Sequence, residues 1–138
     1  MALNRAGLVD GAPAAGVVVS PAQGLKDWDE VEAELVEIFQ LAQQAAKSDQ
    51  KLLGIVTTTN LLGSGPVHDV AVATGLLSGV RALAVEHRGR ARVAMLVAHA
   101  AQVPPDEIAA TAAWVLAAPD LNGQVVALGE DHLGMLLP

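Results

Sequence analysis

The chain has no cysteine and no tyrosine, and Phe39, Trp28 and Trp114 are its only aromatic residues among 138 apart from four histidines. Without cysteine there is neither a disulfide framework nor a thiolate metal site, a usage compatible with a reducing cytoplasm, the expected localisation. Without tyrosine no phenol can serve as a general acid or base. Positive charge is scarce too: eight Lys and Arg stand against fifteen Asp and Glu, a formal charge of −7. A surface of that sign repels phosphate backbones, so nucleic acid is not an expected partner. The apolar stretches are interrupted by Gly, His, Pro or charge before about 18 residues, so no membrane span is expected. Residues 1–10 lack the basic-then-apolar order of a signal peptide.

What is present is small and apolar. Hydrophobic residues make up 52% and charged ones 17%, with a mean hydropathy of +0.41. That composition excludes disorder, because the chain can bury enough surface to offset the entropy of ordering. The length implies one domain over 1–138, with residues 1–15 as an irregular lead-in and 131–138 as a tail.

Between these ends strand and helix signals alternate. Val17, Val18 and Val19 form a short β-branched run closed by Ser20-Pro21. Asp27 then opens a helix over 27–47. Its apolar positions recur at three- and four-residue steps, with acids in the first turns and Lys47 near the end. A second strand is expected over 52–58 and a turn-rich loop over 60–66. A helix over 68–87 follows, apolar nearly all round until Arg81, which implies burial on more than one side. Residues 90–98 read as a third strand, 106–117 as a third helix behind Pro104-Pro105, and 124–128 as a fourth strand after Asn122-Gly123. Helical crossovers of this length make consecutive strands parallel and their connections right-handed. The expected fold class is α/β: a Rossmann-like three-layer sandwich of about four parallel strands.

Several segments then resemble the C-terminal half of the short-chain dehydrogenase/reductases, in order, over roughly residues 16–130. VVVSPAQG is similar to that family's fourth strand and turn, and DWDEVEAELVEIFQLAQQAAK to the helix that follows. LLGIVTTTN resembles the strand ending at the catalytic serine, and GLLSGVRALAVEH the helix after the catalytic Tyr and Lys. DEIAATAAWVLAAPDLNGQVVALGE resembles the closing helix, Gly-Gln turn and last strand. The resemblance implies the fold, in degenerate and truncated form. The family's first three strands have no counterpart, and no G-x-G-x-x-G or G-x-x-x-G-x-G spacing occurs to cradle a pyrophosphate. By the same alignment the helix Asn falls on Glu34, the serine on Thr59 or Asn60, the tyrosine near Asp69 and the lysine near Ala73. Hydride transfer therefore lacks its acid and its ammonium, and no nicotinamide cofactor or other cofactor is expected.

Each remaining polar candidate has a bland explanation beside a chemical one. Thr57, Thr58, Thr59 and Asn60 end a strand, where ligands sit in open parallel sheets and a threonine hydroxyl could orient a carbonyl, but Thr and Asn also suit a strand end and turn. His68-Asp69 is a possible acid–base pair, or a loop histidine and a helix-start carboxylate. Glu34 is a pocket carboxylate or one of several acids on a solvated face. His99 lines a crevice or lies in a turn. Glu86-His87-Arg88 complements a helix end. Glu130-Asp131-His132 suggests a metal, though adjacent ligands without a second cluster are a weak signal. No H-E-x-x-H or G-x-S-x-G pattern occurs.

Two functions follow as expectations. The first is a non-catalytic pseudoenzyme subunit, forming a homo-oligomer or a heteromer with another dehydrogenase-like chain. Relatives in that family pair through the helices equivalent to 27–47 and 69–87, and Leu76, Val80 and Leu83 are expected near such a seam. The second is a biosynthetic enzyme with non-redox acid–base chemistry (dehydratase, isomerase or cyclase) drawing on Glu34, Thr59, Asn60, His68, Asp69 and His99. The short strand at 17–19 lacks the Lys, Pro or bulge that protects natural edges, so a cover is expected, from residues 1–12 or from a partner.

Overall fold

The structure, a computed structural model, describes residues 16–86, 94–118 and 121–131. Strands β1 (Val17–Val19), β2 (Leu52–Thr57), β3 (Ala94–His99) and β4 (Val125–Leu128) lie side by side in chain order, every pair parallel. The helices are α1 (Trp28–Lys47), α2 (Thr58–Leu61), α3 (Val67–Glu86) and α4 (Pro105–Ala117). Helices α1 and α3 cover one face of the sheet and α4 the other, giving the expected three-layer α/β sandwich.

The two apolar layers follow from the pleat. Along β2, Leu52 and Val56 join the cluster under α1 and α3, whereas Leu53 and Ile55 join the cluster under α4. A strand flanked on both sides and covered on both faces has no polar side, which is why residues 52–56 are all buried. On the α4 side, the Lys51 ammonium donates to the carbonyls of Leu116 and Ala118, satisfying acceptors left open at the helix end.

Helix α1 begins where Asp27 accepts from the Glu30 N–H at 2.9 Å, with Asp29 and Glu30 in its first turn and Lys47 in its last. Its buried residues, Val31, Ile38 and Ala45, recur every seven positions, a narrow stripe that leaves Val36 and Phe39 exposed. Helix α3 buries Val72, Ala73, Leu76, Val80 and Ala84. Gly75 allows α1 to come close, since a Cβ there would stand 2.9 Å from a Leu35 methyl.

Three expectations change. Strand β2 ends at Thr57, because the Thr57 hydroxyl accepts from the Asn60 N–H at 3.2 Å and starts the turn of α2 inside the expected strand and loop. Strand β3 ends one residue later, at His99, and residues 90–93 lie outside the described ones. By length and composition, α3 is sufficient to cross a membrane, which the interrupted apolar pattern hid; one side of it packs on α1 and the sheet. The open side of β1 has no partner strand among the described residues. Residues 1–12, one of its two expected covers, lie outside them.

Leu53 is fully buried at the centre of the α4-side cluster. Leu53→Ala is expected to lower unfolding free energy by about 2–5 kcal/mol in urea titration, and the exposed Val36→Ala by less than about 0.5 kcal/mol.

Candidate functional site

In an open parallel sheet the crevice for ligands lies beyond the carboxyl ends of the strands. That end of β1 and β2 is occupied by the chain itself. Residues 20–26, leaving β1, cross above it and are tied down from both helices. The Asp69 carboxylate, buried near the start of α3, accepts from the N–H groups of Gly24 at 2.9 Å and Leu25 at 3.0 Å. Glu34, from α1, accepts from Ala22 N–H at 2.7 Å. His68 Nδ1 donates to the Leu25 carbonyl at 3.2 Å, and its ring packs T-shaped with that of Trp28, centroids 4.8 Å apart. Gly24 has a φ of +76°, a turn conformation that glycine adopts without strain.

The structure therefore gathers Glu34, His68 and Asp69 around one loop, with Asn60 in the same crevice wall. Glu34 is half-buried and holds the backbone of the loop through Ala22. Asp69 acts across more than forty residues of sequence rather than on its own helix end. Asn60 is buried, and its amide oxygen lies so close to Gly65 that a Cβ there would stand 2.0 Å away. Thr59, by contrast, is exposed, and His99, at the end of β3, donates through Nδ1 to the Ala100 carbonyl at 3.1 Å.

Thr58 belongs to the strand-end run, but the sequence singled out Thr59 and Asn60 from it. The Thr58 side chain is fully buried, and its hydroxyl donates to the Asp131 carboxylate, with the His99 carbonyl 3.4 Å away. The available signal was position: the first residue after a strand buried on both faces has no outward side to turn to. Asp131 is thus engaged in linking the chain beyond β4 to the end of β2. His132, its neighbour in the metal reading, lies outside the described residues, as do His87 and Arg88.

Two cavities differ sharply in size. The one beneath residues 21–23, walled by Val56, Thr57, Asn60, Asp69 and Ala73, holds about 10 Å³. The other, about 600 Å³, is a groove between α1 and α3 bordered by Leu35, Phe39, Ala42, Gly75, Gly79 and Leu83. Leu76 and Val80 are only 2% and 1% exposed. They form the floor of this groove, packed in the cluster between α3 and the sheet, and Leu83 is half-buried at its border.

Thr58→Val keeps the shape and removes the hydroxyl. We expect it to cost about 1–2 kcal/mol in denaturant titration, with the same substitution close to neutral in an Asp131→Ala background.

No protein-family model and no curated protein sequence matches the chain. Among solved structures it is similar to a short-chain dehydrogenase/reductase, a glucose/ribitol dehydrogenase from Brucella melitensis. The TM-score is 0.63 at 18% identity, over 81% of this chain and 62% of that one. It is also similar to an apo SCOR enzyme from Clostridium thermocellum (0.56, 13% identity, 80% and 60% covered). A third match is the TT0495 protein from Thermus thermophilus (0.55, 24% identity, 80% and 65% covered). The chain thus spans between 60% and 65% of the length of these structures. At such identities the likeness is one of architecture: the chain has the parallel, Rossmann-like fold of the short-chain dehydrogenase/reductases.

Proposed function

We propose that the chain is a non-catalytic subunit on a dehydrogenase-like scaffold, assembling with itself or with another chain of that fold through the layer of α1 and α3. One observation carries this reading: the crevice at the ends of β1 and β2 has room for about 10 Å³, and both carboxylates beside it are bound to the chain's own N–H groups. Small-molecule sites are typically clefts of about 300–1,000 Å³ with polar groups free to meet a ligand. The alternative, non-redox acid–base catalysis, needs Glu34 and Asp69 to reach a substrate, and with residues 20–25 seated both are bound to the loop.

Among the described residues a space of that size lies in the helical layer, and its surroundings are mostly apolar. Phe39 is 61% exposed at the groove, Val36 and Val85 are exposed on the same two helices, and glycines 75 and 79 lower the α3 surface. Exposed apolar surface grouped in this way marks protein contacts more often than solvent-facing surface. A second copy related by a two-fold axis would present the same groove in return.

Sedimentation at tens of micromolar is expected to give a dimer or larger species. Phe39→Glu and Leu83→Glu should shift it toward monomer, while Trp114→Glu on the opposite layer should not. A monomeric wild-type chain, mixed with no partner and retained by none from its native host, contradicts the proposal. Leu76→Glu is unsuited to this test, since it places a charge in the core and reports on folding. Calorimetric titration with NAD(H) and NADP(H) is expected to show no micromolar binding; such binding overturns the non-redox part of the proposal.

A further inference from the structure

The loop that fills the crevice is attached differently from the rest of the molecule. None of residues 20–26 is buried, and only Leu25 packs against the core cluster. What holds the loop is polar: Glu34 to Ala22, Asp69 to Gly24 and Leu25, and His68 to the Leu25 carbonyl. Lys26 and Asp27, where the loop joins α1, are occupied within that helix start through Glu30. Segments with few apolar contacts open at lower free energy than the core and can do so while the remainder stays folded.

We infer that residues 20–25 are a latched strap over the carboxyl ends of β1 and β2, with Asp69 as the latch and Glu34 as a second tie. The bidentate contact puts both Asp69 oxygens on successive N–H groups of one turn, so this side chain makes more of the ties than either Glu34 or His68. Opening leaves the strands in register, since β1 pairs with β2 only through Val17–Val19, before the strap begins. It uncovers the carboxylate of Asp69, the amide of Asn60 and, one helical turn along α3 from Asp69, Ala73. The strap is therefore a positioning device that hides a polar crevice in its closed state. This inference does not depend on how the chain assembles.

Because the chain has no cysteine, a single thiol reports the opening without background. Ala73 is 2% exposed in the crevice wall, and Ala73→Cys is a small change. We expect this thiol to react with a disulfide reagent at a rate insensitive to urea below the unfolding transition. Adding Asp69→Ala should accelerate it on the order of tenfold or more, the scale for losing charge-assisted hydrogen bonds. Amides of β2 should keep their hydrogen-exchange protection in the same variant. The inference is overturned if the thiol reacts only in step with global unfolding. It is also overturned if Asp69→Ala folds and leaves the labelling rate unchanged. If Asp69→Ala does not fold, Glu34→Ala releases Ala22 alone and should speed labelling in the same direction; a folded variant with an unchanged rate also overturns the inference.

Discussion

The pairing of β2 with β3 runs through six residues, from Leu52 beside Ala94 to Thr57 beside His99, and most of the molecule is arranged around it. The register brings Thr57 and His99 to the same level, so the next residue, Thr58, turns inward within reach of the His99 carbonyl and of Asp131. At the opposite end, Lys51 stands just before the first ladder pair and ties the sheet to the last turn of α4. A slip of one residue would turn Leu53 and Ile55 toward α1 and α3 and break both arrangements, because side chains alternate faces along a strand.

The core that this pairing organises is built from aliphatic side chains, many of them small. With a single Phe and two Trp, all exposed, the chain cannot fill space with rings, and close packing depends on backbone approach. Gly75 lets α1 settle on α3, and Gly16 brings the start of β1 against the Lys51 carbonyl, where a Cβ would stand 2.5 Å away. The same economy of size has a consequence on the outer surface. A helix pair joined at small residues leaves a groove, and in this chain the groove is large and apolar while the crevice at the strand ends is nearly closed.

Polar groups at the strand ends serve the chain's own backbone. Asp69, Glu34 and His68 each meet a main-chain group of residues 20–25, which removes N–H donors and a carbonyl that would otherwise face a half-buried crevice. The carboxylate of Asp131 does comparable service for Thr58, whose hydroxyl has no access to water. These contacts span 12 to 73 residues of sequence, so they join elements that periodicity alone treats as independent.

The order and type of the main elements, their parallel arrangement and the three layers were legible in the sequence. Apolar periodicity, Asp27 as a cap, Pro104-Pro105 and Asn122-Gly123 are local signals, and long crossovers force parallel strands. The candidate site was legible only as a set of residues. Glu34, Asn60, His68 and Asp69 were picked out, yet nothing local says that two of their carboxylates close a loop, or that Thr58 rather than Thr59 is the buried threonine. The helical apolar pattern of α3 likewise showed that it would be buried, but not which side. Leu76 and Val80 went to the sheet because α3 lies across β2 and β3, a placement fixed by which faces meet. A sequence determines the conformations its neighbouring residues prefer; the partner of a hydrogen bond across forty residues is decided only when the packed layers bring the two groups together.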